Sequence, residues 1–231
     1  MNSFPNRKFF VVLLLLAMAS GLCFALSFFR IIYSARLTHA GLLWNLFLAW
    51  IPMGFALLAW QCRRSRAKVF FCACLWLLFF PNAPYLVTDL VHLRPQTPVP
   101  FWFDVILFQS FICLGLLLTF VSLGWMQNLV ANLFGQRAGW IFIFFVIGLT
   151  GYGIYLGRFQ RWNSWDLFFN PIVLFTDMCK DLWRPRRRVA GLYSMLYAGF
   201  LLMAYGIFYA FTHLPFQNSS GKNSSPESFL T

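Results

Sequence analysis

Polar positions along this sequence are gathered into short intervals, and between them the chain is almost continuously apolar. The first apolar run, Phe9–Phe29, comes after a leader holding Arg7 and Lys8. Further runs occupy residues 40–60, 69–91, 105–125, 138–157 and 189–211. Each is close to the roughly 20 residues that a helix needs to cross a bilayer core. Backbone groups in lipid must find their hydrogen bonds within the segment, so runs of this kind predict helices. The pattern therefore predicts an all-α fold, a polytopic transmembrane bundle of six spans forming a single membrane domain over residues 1–211. Ala17-Met18-Ala19 has the small residues of a signal-peptide cleavage site, but the apolar run continues well past it, which favours an uncleaved first span. Residues 212–231, rich in Ser and Asn, read as a disordered polar tail.

Prolines mark the irregular places. Pro52 falls inside the second run and predicts a kink that a bundle tolerates. Pro81-Asn82-Ala83-Pro84 interrupts the third, since two prolines three apart cannot sit in an unbroken helix. The span then divides into Val69–Phe80 and a short helix over Ala83–Leu93, with Asn82 as its N-cap. Residues 94–103 form a Pro-rich loop and 126–137 a mixed one. Between the fifth and sixth spans, Asp166, Asn170, Asp177, Asp181 and Arg184 trace a narrow polar face on an amphipathic helix over 165–183. The apolar interval there is short for a crossing, so this helix is expected to lie in the membrane interface.

Composition agrees with the pattern. Hydrophobic residues make up 60% of the chain and charged residues 10%, where a soluble domain carries roughly 25%. A cytosolic globular protein, a disordered chain and a disulfide-stapled secreted module are all excluded. The net charge is +12, but the cations sit in clusters beside apolar runs, as topology signals do, and no nucleic-acid partner is expected. The tightest cluster, Arg63, Arg64, Arg66 and Lys68, predicts a cytoplasmic loop. Six crossings from an internal N-terminus then put Arg158, Arg161, Lys180, Arg184, Arg186, Arg187 and Arg188 outside, against the positive-inside tendency. A crossing at 165–183 would remove that conflict but would be short for a span. The six cysteines lack C-x-x-C spacing and read as free, small hydrophobes.

Five of the six acidic residues are Asp89, Asp104, Asp166, Asp177 and Asp181; the first three lie beside spans three, four and five, and alternating spans bring them to one end of the bundle. Asn82, Tyr85, Asp89 and His92 step by 3, 4 and 3 and so form one stripe. Asp89 and His92, with Asp104 and Asp166, are candidate acid/base residues or ligands for a divalent metal such as Mg²⁺, Mn²⁺ or Zn²⁺. Arg94, Arg158 and Arg161 are candidates to hold a phosphate or carboxylate. The same residues have a plainer use, because Asp–Arg pairing also ties helix ends together. Asn163 and Asp166 have capping-box spacing. Gly153 and Gly157 form G-x-x-x-G, which permits close helix approach, within this bundle more readily than between copies. No Walker A, G-x-S-x-G, H-E-x-x-H or Rossmann fingerprint is present, which argues against an ATP-driven pump.

Three blocks stand out together: Phe80-Pro81-Asn82-Ala83-Pro84-Tyr85-Leu86-Val87-Thr88-Asp89-Leu90, Trp102-Phe103-Asp104, and Tyr155-Leu156-Gly157-Arg158-Phe159 succeeded by Arg161-Trp162-Asn163-Ser164-Trp165-Asp166. On these the chain resembles an uncharacterised family of bacterial polytopic membrane proteins, a domain of unknown function, over most of residues 40–211. This chain has Phe103 where a tyrosine stands in the W-x-D block of such families, so no hydroxyl there enters the argument. The resemblance implies a multi-pass protein of a bacterial plasma membrane and assigns no biochemistry. The functional expectation from the residues is a polar site at one membrane interface, with Asn82, Tyr85, Tyr155 and Asn163 in support, that binds or processes an anionic or lipid-linked group. A small-solute transporter or permease component, suggested by the broken third span, and a non-catalytic scaffold of an envelope complex are the alternatives.

Overall fold

The computed structural model describes residues 7–183 and 187–213; the side chains of Lys8 and of residues 181–188 lie outside the description. The tail beyond His213 and the side chains of the basic run 184–188 thus fall outside the described residues. The helices are α1 (Arg7–Ser34), α2 (Ala40–Gln61), α3 (Arg66–Phe79), α4 (Asn82–Tyr85), α5 (Phe101–Phe134), α6 (Gln136–Tyr155), α7 (Asp166–Phe169), α8 (Pro171–Trp183) and α9 (Arg187–His213). A 3₁₀ segment, Leu86–His92, continues α4, and a π-helical segment, Leu156–Gln160, continues α6. Six helices are long and apolar enough to cross a membrane: α1, α2, α3 with its continuation to His92, α5, α6 with its π turn, and α9. The protein is an all-α polytopic membrane bundle.

Its surface explains why a bilayer is needed. Leu14, Leu15 and Met18 on α1, Phe144 and Phe145 on α6, and Leu192 and Met195 on α9 are all exposed. No soluble fold leaves so much contiguous apolar surface in water. Inside, α5 is the axis of the bundle and packs against α1, α2, α4, α6 and α9. One core gathers Trp76, Phe80, Phe120, Ile143, Val146, Ile154 and Tyr205; the other gathers Leu46, Met53, Leu107, Phe108, Phe111 and Leu114.

The mixed loop expected at 126–137 is mostly helix, because Met126, Gln127 and Leu129 are buried and carry α5 on to Phe134. A single residue, Gly135, then reverses the chain with φ +94, a conformation that L side chains rarely adopt. Pro52 is buried inside α2, which runs on around it. The amphipathic helix expected over 165–183 is two helices. Pro171 disfavours helical backbone at Asn170, which sits at φ −135 and ψ 47 between α7 and α8. α6 and α9 run antiparallel, with Trp140 against Tyr209 at one end and Tyr155 against Tyr193 at the other. The connection through α7 and α8 thus starts and finishes at the same end of the bundle, and α8, 13 residues long, does not cross. Leu174 of α8 is buried while Ile172, Val173 and Phe175 are exposed.

Candidate functional site

The break in the third span builds the site. Pro81 has no N–H to continue α3, so the carbonyls of its last turn must find other donors. Leu78 O accepts the Ser164 hydroxyl at 2.9 Å, and Ser164 Oγ in turn accepts from Asn82 Nδ2 at 3.1 Å. Asn82 is thus not the N-cap that its position suggests; its amide fastens the loop after α6 to the interruption. Beyond α4 the chain tightens into the 3₁₀ segment, where residues three apart eclipse one another, so Asp89 and His92 share one face. Gly153 and Gly157 let Pro81 and Tyr85 approach α6 and its π turn. A Cβ at Gly153 would stand 3.1 Å from Pro81 Cγ, and one at Gly157 3.2 Å from Tyr85 Cε2.

These elements enclose a cavity of about 530 Å³ at one end of the bundle. Its polar wall is His39, Asn45, Asn82, Tyr85, Asp89, His92, Arg158, Asn163 and Ser164, and its apolar wall includes Leu42, Leu48, Phe108, Leu167 and Leu174. Leu167 and Leu174 come from α7 and α8, so these two helices close one side. The π turn carries Arg158 into the wall, a distortion frequent where a helix serves a site. Arg158 Nη1 donates to His92 Nε2 at 3.0 Å, with the ring nitrogen as acceptor. Asp89 is 5% exposed and accepts Asn45 Nδ2 at 2.7 Å. Among the described residues neither Asp89 nor Arg158 forms a salt bridge. The wall therefore holds a guanidinium, an imidazole and a carboxylate within one space, none neutralised by direct ion pairing.

Asp104 has a different fate. It is fully buried, and Arg30 grips it with Nε at 2.6 Å from Oδ1 and Nη2 at 3.1 Å from Oδ2. Arg30, 2% exposed, also donates to Thr38 Oγ1 at 3.3 Å and Gln96 Oε1 at 3.2 Å. This node joins the end of α1, the start of α2, the Pro-rich loop and the start of α5. The sequence places Arg30 among the topology charges; the structure makes it the partner of Asp104. His39 connects node and cavity: it lines the cavity, while its buried Nε2 stands 3.8 Å from Asp104 Oδ2 without a hydrogen bond. Burial, then the neighbouring Arg30 cation, lowers its pKa below the ordinary 6.5, against the opposing pull of Asp104.

The other candidates separate as well. Asp166 Oδ2 accepts the Asn163 backbone N–H at 2.7 Å, one half of the expected capping box, and does not line the cavity. Arg94 and Arg161 lie outside the lining, Arg161 with φ +62 where the chain turns out of the π segment. Tyr155 packs with Tyr152, Phe159 and Tyr193 behind the wall. Asp89, His92, Asp104 and Asp166 share an end of the bundle but not a ligand sphere. Among the described residues no three His, Cys, Asp or Glu gather to hold a metal ion. Asn45 and His39 belong to the site and have no motif around them. Their only signal is a polar side chain within or at the edge of a long apolar run, which in a membrane marks function or pairing.

A six-span helical bundle with a mixed polar and apolar cavity at one membrane-proximal end is thus the class of protein that the structure defines. The chain belongs to the family described as "Protein of unknown function (DUF1361)", which matches residues 44–208. That stretch takes in the interrupted third span, the π turn and most of the cavity wall. No curated protein and no solved structure matches the chain.

Proposed function

We propose that the cavity binds an anionic, lipid-linked group at the membrane interface and presents it to Asp89 and His92. The observation that carries this reading is Arg158, a guanidinium in the wall of a cavity of about 530 Å³ with no salt-bridge partner among the described residues. Guanidinium groups pair with phosphate or carboxylate through two parallel hydrogen bonds, and removal from bulk water strengthens that pairing. Asn45, Asn82 and Asn163 add amides able to orient oxygens around the charge. Leu42, Leu48, Leu167 and Leu174 offer the attached chain an apolar wall beside the interfacial helices. Asp89 and His92 are the groups that would exchange protons with the bound molecule if it reacts. Residence in a bacterial plasma membrane is part of the same reading.

Native mass spectrometry of the detergent-solubilised protein, titrated with short-chain phosphatidic acid and with phosphatidylcholine of the same chains, tests it. The reading expects preferential retention of phosphatidic acid by the natural protein and at least tenfold weaker binding by Arg158→Ala. Equal binding of the two lipids, or an unchanged Arg158→Ala, overturns it.

The interrupted third span favours solute passage as a second reading, since broken helices line many transport sites. Against it, deeper in the same helices than Phe108 and Leu48 lie Phe111 and Met53, both fully buried in the core below the cavity lining. Flux of phosphate through proteoliposomes separates the two.

A further inference from the structure

The opposite end of the bundle holds a second cavity, of about 340 Å³, where α1 and α9 lie against α5. We propose that it is a binding site for the glycerol-ester region of a membrane phospholipid, with Gln127 donating to an ester carbonyl. The walls are mainly aromatic and apolar, with Phe9 and Val12 from α1, Phe120 and Trp125 from α5, and Phe208 and Tyr209 from α9, and Asn128, Thr212 and His213 add polar groups to the lining. Phe9 is seated on Trp125 with ring centroids 3.8 Å apart. A Cβ at Gly124 would reach only to 3.5 Å from Tyr205 Oη, so glycine there keeps the floor clear without being strained.

Gln127 points to the occupant. It is 1% exposed and lines the cavity. Its carbonyl is satisfied by the Tyr205 hydroxyl at 2.5 Å, but its Nε2 has no hydrogen-bond partner. A buried N–H donor without an acceptor is costly, and more so in lipid than in a soluble core. Tyr205 fixes the amide by its oxygen, which leaves the donor for whatever enters. An acyl chain alone offers no acceptor, so the occupant carries an oxygen on an apolar body.

Depth selects the ester. α5 has 34 residues, about 51 Å, against a hydrocarbon core of roughly 30 Å. Shared between its two ends, the excess is about 10 Å each. Gln127 lies seven residues before Phe134, again about 10 Å along the axis, and so stands near the hydrocarbon boundary, where glycerol esters sit. Arg7, exposed in the first turn of α1 and two residues on the water side of Phe9, supplies a cation at the level of the phosphate.

Diacyl phosphatidylcholine and its dialkyl ether analogue differ in the two carbonyls and share every other group, which makes them the probes. Each is titrated onto the full-length protein in detergent and monitored by native mass spectrometry. The site predicts that the diester binds about fivefold tighter than the diether, and that Gln127→Leu removes the difference. Equal binding of diester and diether by the natural protein overturns it without recourse to any variant. So does a preference that survives in Gln127→Leu, or displacement of the diester by a short-chain benzoquinone at equimolar concentration, which would give the donor to a different carbonyl. The zwitterionic headgroup and the distance from Arg158 keep the result independent of the first cavity.

Discussion

Asp89 and Asp104 lie at the same end of the bundle, both almost wholly buried, and they are handled in opposite ways. Asp104 is closed by a bidentate arginine that also donates to Thr38 and Gln96. Asp89 receives a neutral amide from Asn45 and otherwise faces a cavity with His92 and Arg158 in its wall. The first arrangement uses up the charge in holding four segments together. The second leaves charge facing a space that a ligand can fill. Proximity to a membrane interface therefore does not tell the two roles apart, whereas the identity of the partner does.

Breaking the sealed node should have the largest effect. Arg30→Ala strands a buried carboxylate and is expected to cost about 3–5 kcal/mol, read as a large fall in thermal midpoint in detergent. Replacing both partners, Arg30→Leu with Asp104→Leu, should recover most of that loss, because the penalty lies in the unpaired charge. A pair that is as unstable as the single variant would mean that the node does more than neutralise. Next comes Asn45→Leu, which removes the amide donor of Asp89 and should cost about 1–3 kcal/mol. Asp89→Asn should move stability by less than about 1 kcal/mol, since the amide can still meet Asn45 and no charge is left buried. If Asp89→Asn destabilises as much as Arg30→Ala, the contrast between the two aspartates collapses.

The smallest effect concerns pH. His39 is held neutral in the folded chain by burial and by Arg30, while the unfolded chain takes up a proton near 6.5. Between the two pKa values the unfolded state binds more protons, so stability rises with pH. His39 thus contributes in full above about pH 6.5 and loses that contribution as acid protonates the unfolded form. The thermal midpoint should fall between about pH 7.5 and about pH 5.5, and His39→Gln should flatten that fall. A His39→Gln profile superimposable on the natural one would remove His39 from the account of the node.

The features legible in the sequence are the local ones. The apolar runs give the six spans because helix length and lipid exposure are both local properties. The stripe of Asn82, Tyr85, Asp89 and His92 was legible because helical periodicity survives, in tightened 3₁₀ form, after the proline break. Arg30 was not, since its partner is 74 positions away and its immediate neighbourhood is that of an ordinary topology charge. Asp166 was legible as half of a cap, its Oδ2 accepting from Asn163 three residues earlier, while its place outside the cavity lining had no local signal. The division of 165–183 was written in Asn170-Pro171, but amphipathic spacing continues across it and conceals the break. Asn45 is a single amide in an apolar stretch and Gln127 is followed directly by Asn128, and nothing in one sequence says which way each amide faces.

The most direct test of the cavity's role is the thermal midpoint of the purified protein with and without short-chain phosphatidic acid, compared for the natural chain, Asp89→Asn and Arg158→Gln. A ligand that seats against Arg158 should raise the midpoint of the natural protein, lose that effect in Arg158→Gln, and show a changed response in Asp89→Asn while the unliganded midpoints stay close together. An equal rise in all three proteins would contradict a binding site at Asp89 and Arg158.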